Sequence, residues 1–110
     1  MASAADPARE ALARRVRAVL EGTEGVRERP MFGTRAFLVD DRLVLCARRG
    51  GRLLVRTDPG RGAELLARPG ARQATMRPDR PMGPGWIDVD ADALDDEALR
   101  SWVDAALWHP

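Results

Sequence analysis

The sequence predicts an α+β fold: two layers in the order α-β(4)-α-β(2)-α, with helices packed on an antiparallel sheet. Three observations carry this. Apolar residues recur at helical spacing near both ends of the chain. Between them lie four short apolar runs separated by turn residues, and so short a connection permits only antiparallel pairing. A second Asp-Pro pair, Asp58-Pro59, then repeats the device that opens the first helix.

The first helix follows from Asp6 as N-cap and Pro7 at the first helical position, where a missing N–H costs nothing. Leu12, Val16, Val19 and Leu20 form its apolar stripe, and Gly22 is expected to end it. Strands are expected over Val26 to Met31, Thr34 to Val39, Leu43 to Ala47 and Leu53 to Val55. Phe32-Gly33, Asp40-Asp41 and Gly50-Gly51 mark the turns between them. Ala63, Leu65, Leu66 and Ala67 supply a short middle helix stopped by Pro69-Gly70. Ala71 to Met76 alternates weakly as a strand, and Trp86-Ile87-Asp88-Val89 alternates as a strand near a sheet edge. The last helix starts among Asp92, Asp95 and Asp96, whose charges suit the positive end of the helix dipole. Leu99, Trp102, Val103, Ala106 and Leu107 form its stripe.

The central strands are apolar at consecutive positions, so both sheet faces carry hydrophobic side chains. Helices can cover one. The other calls for the third helix or a second subunit, and a symmetric homodimer through the Leu43–Val55 hairpin is the expectation. Light scattering should then give twice the 12.1 kDa chain mass.

The 110 residues suit one domain, 1–110, with 1–6 expected to be flexible. No apolar run approaches the ~20 residues of a membrane span. The N-terminus lacks the basic start and apolar stretch of a secretory signal, and Cys46 has no internal disulfide partner. These features predict a bacterial-type cytoplasmic protein. All eighteen basic residues are arginine, beside eighteen alanines, ten glycines and no lysine, asparagine or tyrosine. GC-rich coding explains that choice without invoking a phosphate ligand.

Charge is unevenly spread. Residues 1–80 hold seventeen arginines against ten acids, whereas residues 81–110 hold one arginine against seven. From Arg42 to Arg56 there are five arginines and no acid. The favoured reading is a solvated hairpin partly neutralised by the acidic C-terminal part. The alternative is a weak, sequence-insensitive nucleic-acid contact through Arg42, Arg48, Arg49 and Arg52, with Arg56 as a further candidate.

A family resemblance rests on an ordered set of segments. These are Arg29-Pro30-Met31-Phe32-Gly33, the strand through Phe37, and Leu54-Val55-Arg56-Thr57-Asp58-Pro59. Arg80-Pro81-Met82 leading to Gly85-Trp86, and Asp95-Asp96-Glu97-Ala98-Leu99-Arg100-Ser101-Trp102-Val103, complete it. Spread over residues 8–107, they resemble the TfoX/Sxy N-terminal domain, a family of small bacterial α+β proteins. The family commonly has a second glycine where Thr34 stands, and a tighter connection than Met82-Gly83-Pro84-Gly85-Trp86. The resemblance implies a stand-alone copy of a domain that longer competence regulators follow with a helical domain. It also implies a link to transcription regulation.

No residue pattern points to catalysis, a cofactor or a metal. Cys46 lies mid-strand between apolar neighbours, and His109, the single histidine, sits where its cation would meet a helix end. Asp92, Asp95, Asp96 and Glu97 lack the spacing of a calcium loop. Met31, Phe32, Met82 and Trp86 are expected to pack together and close one end of the sheet. Their other reading is an adaptable protein contact. The function expected is therefore a non-enzymatic interaction or regulatory module without cofactor, its partner a protein, with nucleic acid as the alternative.

Overall fold

Asp6 opens the first helix as its position predicts. A computed structural model describes residues 6–77 and 79–108, and in it α1 runs Pro7–Val19. The Asp6 carboxylate accepts from the Arg9 N–H at 3.0 Å, and its second oxygen accepts from the Gly50 N–H at 2.9 Å. One side chain thus caps the helix and ties it to a distant turn. These two backbone donors, Arg9 first, hold its carboxyl below the usual value. Gly22 adopts φ 87° beyond the Leu20 C-cap.

Four strands follow as a meander: β1 Val26–Met31, β2 Thr34–Val39, β3 Arg42–Ala47 and β4 Leu53–Arg56. The Asp40-Asp41 and Gly50-Gly51 turns fall where expected. After a single 3-10 turn, Pro59–Arg61, comes the five-residue α2, Gly62–Leu66. The Ala71–Met76 segment divides at the buried Ala74. Its first part is β5, Ala71–Gln73; its second, β6 Thr75–Arg77, pairs with β7 Arg80–Pro81 in a small separate arm. β8 is Trp86–Val89, and α3, Asp96–Ala106, is capped by the Asp95 carboxylate on the Ala98 N–H at 2.8 Å.

The main antiparallel sheet has the order β1-β2-β3-β4-β8-β5. β8 is thus near the edge, as its alternation predicts, with only the three-residue β5 outside it. It lies between β4 and β5, with Leu54 opposite Asp88 on one side and Arg72 opposite Asp88 on the other. An aspartate was compatible with an interior strand because arginines meet it there.

One face carries the principal core. Leu12, Val16 and Leu20 from α1 and Leu99, Trp102 and Val103 from α3 pack with Phe37, Leu45, Leu53, Val55, Ile87 and Val89. Both long helices cover this same face, so the third helix does not reach the other. The opposite face closes by different means. A small cluster of Ala36, Cys46, Leu54 and Ala74 is flanked by half-buried Met31, Leu38, Leu43, Met82 and Trp86. Leu54 at its centre is only 7 % exposed. The apolar demand that motivated a second subunit is thus largely met within the chain.

Candidate contact surface

Strand register assigns the side chains of this second face to three rows, because residues directly opposite share a face. The middle row reads Arg29, Ala36, Cys46, Leu54, Asp88 and Arg72 from β1 to β5. Beside it, Arg27 lies opposite Leu38, and Arg56 opposite Trp86. At the other end Met31 lies opposite Thr34, and Arg48 and Arg52 reach back to Asp88.

Asp88 is the buried charge of the surface, 5 % exposed. Arg52 donates to one carboxylate oxygen at 3.0 Å, and Arg48 stands 3.5 Å from the other. A buried carboxylate is tolerated only when paired, and these two guanidinium groups pair it. Replacing Asp88 by Leu removes the acceptor from two arginines that remain partly solvated. About 1–3 kcal/mol of stability should be lost, measurable as a lower denaturant midpoint.

The four candidate hairpin arginines do not form one patch. Arg48 and Arg52 converge on Asp88, the acidic partner from the C-terminal part. Arg49 is exposed in the turn. Arg42 lies opposite Val39, which packs in the principal core, so it belongs to the helix side and the far end of β3. The surface instead recruits Arg27, Arg29, Arg56 and Arg72. Period-two spacing in β1 already puts Arg27 and Arg29 on one face; adding the other two requires the lateral strand order, which sequence spacing does not contain.

Met31, Met82 and Trp86 pack against the second cluster, but Phe32 does not join them. It is 98 % exposed. Phe32 and Gly33 adopt φ 49° and 76° in the two-residue β1–β2 turn, the left-handed pair that such hairpins use. A bulky residue there is strained. The turn is nonetheless braced. The Thr34 hydroxyl donates to the Met31 carbonyl at 2.6 Å, and the Arg9 guanidinium donates to the Gly33 carbonyl at 2.8 Å. Phe32→Asn should therefore raise stability by about 0.5–1 kcal/mol, since asparagine tolerates this conformation and no packing is lost. Thermal unfolding reads this directly, and an unchanged or lowered midpoint contradicts it.

Cys46 is buried among the apolar residues of this face, and burial pushes its thiol up, against a Thr34 contact and the Arg48 charge. Among the described residues no group of three His, Cys, Asp or Glu is placed to hold a metal. No described helix is long and apolar enough to cross a membrane. His109 lies outside the described residues.

The family model of the TfoX N-terminal domain matches residues 18–109. The chain belongs to the TfoX N-terminal domain family. Comparison with curated proteins and with solved structures returned no match. In this TfoX N-terminal domain the matched span takes in the whole sheet, the small arm and α3. The Arg29-Pro30-Met31-Phe32-Gly33 segment is the end of β1 and the strained Phe32-Gly33 turn. Thr34 contributes the hydroxyl that braces it.

Proposed function

We propose that this chain is a cytosolic, non-enzymatic module that acts in bacterial transcription regulation through contact with a partner. The observation that carries the reading is the TfoX N-terminal domain match, which runs across almost all of the described fold. The side-chain chemistry supports it. The one thiol is buried and hard to ionise. Glu10 is held low by hydrogen bonds from Arg35 and then Arg9, and Asp88 is engaged by Arg48 and Arg52. Such paired groups serve structure, whereas general acid–base chemistry needs a group free to exchange a proton with a substrate.

Deleting the gene in its source organism and profiling transcripts tests the proposal. A reproducible change in a defined transcript set, restored by the wild-type chain, is the expected result. An unchanged profile under every growth condition tried would refute it. So would turnover in a substrate screen that is abolished by Cys46→Ala in a folded protein.

A further inference from the structure

We propose that the face of the six-stranded sheet opposite the two long helices, with Phe32 at its corner, binds single-stranded nucleic acid. The inference rests on the regulatory reading and names the partner that the surface fits.

Charge is the first argument. Arg27, Arg29, Arg48, Arg52, Arg56 and Arg72 belong to this face, against Asp88, Asp90 and, beside Arg27, Asp41. The three aspartates are already engaged, Asp88 by Arg48 and Arg52, Asp90 by Arg72 and Asp41 by Arg27. A guanidinium has five N–H donors, so an arginine held by one carboxylate keeps donors for phosphate oxygens. Arg29 is exposed and carries no ion pair among the described residues. On the helix side Arg17 pairs with Glu28, Arg15 with Asp96, and Arg9 and Arg35 with Glu10, while Arg14 and Arg100 are exposed without an ion pair among the described residues.

Shape is the second argument. The middle of the face is a small buried cluster, Ala36, Cys46, Leu54 and Ala74, over which half-buried Met31, Leu38, Leu43, Met82 and Trp86 pack, so a ligand meets those side chains and the arginines around them. Five inter-strand spacings make the surface about 24 Å wide. No described helix lies over it to enter a duplex groove. A single strand can spread across such a surface and offer its bases to aromatic rings, which a duplex cannot.

Phe32 is the third. A ring held almost wholly in water, on a strained residue whose turn is braced from two sides, costs stability and gains no packing. Beside the arginine rows, its use is stacking on a base. Trp86, half-buried on the same face next to Arg56, is a second ring.

Fluorescence anisotropy with a labelled oligothymidylate of about 12 nucleotides tests this on the full chain. Affinity should fall between about 50 and about 200 mM salt, with a log–log slope of about −0.7 for each phosphate contacted. Reversing Arg27 and Arg29 to Glu should weaken binding by about tenfold or more, from lost phosphate contacts. Reversing Arg14 and Arg100, exposed on the helix side, makes the same change in net charge and should cost less than about twofold. Phe32→Ala and Phe32→Asn should each cost about fivefold or more through lost stacking, with folding confirmed by circular dichroism. No binding at low salt, equal losses from both reversals, unchanged binding by both Phe32 variants, or preference for a matched duplex would overturn the inference. So would competition by polyglutamate as effective as by unlabelled oligothymidylate, which would point to an acidic protein. The Arg27/Arg29 reversal is also returned to the deletion strain. If it fails to restore transcripts while the wild-type chain binds no oligonucleotide, the nucleic-acid inference falls and regulation by contact stands. If the deletion changes no transcript, the regulatory reading itself falls.

Discussion

Gly85→Ala should lower stability by about 2–5 kcal/mol, combining left-handed backbone strain with a steric clash. Gly85 has φ 90°, and a Cβ there would run into the Thr57 carbonyl oxygen and stand 3.3 Å from the Pro59 nitrogen. The neighbouring groups cannot give way. Thr57 is buried, and both its N–H and its hydroxyl donate to the Gly85 carbonyl, at 2.7 and 2.8 Å. This junction joins the end of β4 to the start of β8, and relaxing it would pull the two strands out of register. Denaturant unfolding should show a lower midpoint at an unchanged slope. A loss under about 0.5 kcal/mol would show that the loop re-forms around the new side chain.

Trp102→Ala should cost about 3–5 kcal/mol. The ring is 2 % exposed and sits in the principal core between the sheet and the rest of α3. Arg68 stacks over it, 4.9 Å from the ring centroid, and donates to the Ser101 hydroxyl at 2.8 Å. Truncation therefore opens a cavity and also strips the surface on which Arg68 lies. Trp102→Phe keeps most of the apolar volume and should lose well under half as much. Equal losses from both variants would mean that the indole as a whole, rather than its buried volume, is what the site requires.

Most of the element order is legible from residues with one dominant local reason. Asp6-Pro7, Asp58-Pro59 and Asp95 mark starts because each carboxylate satisfies a helix N–H. Asp40-Asp41 and Gly50-Gly51 mark turns because those residue types tolerate positive φ. Lateral order is different in kind. Nothing in Trp86-Ile87-Asp88-Val89 says which strands will flank it, and an aspartate at an alternating position reads as a solvent-facing edge residue. Only the arrival of Arg48 and Arg52 makes an interior position tolerable. Phe32 misleads in the opposite sense. An aromatic residue beside Met31 in a small domain reads as core, yet the turn geometry projects it away from every apolar neighbour. The arginine face is hidden for a related reason. Its members come from three separate strands and the β3–β4 turn, and the densest arginine run, Arg42 to Arg56, supplies only three of the six.

The insertion of β8 between β4 and β5 has a consequence for the order of folding events. β1 through β4 pair with immediate neighbours in the chain, so each hairpin closes a short loop. β8 must instead span from Leu53 to Val89 to find its partner across the growing sheet. Closing that larger loop forfeits more chain entropy before any contact offsets it. The meander is therefore the natural nucleus, with β8 threading into place late and bringing α3 with it. Truncations in the meander, such as Leu45→Ala, should mainly slow refolding. A truncation in β8, such as Ile87→Val, should mainly hasten unfolding and leave the refolding rate almost untouched.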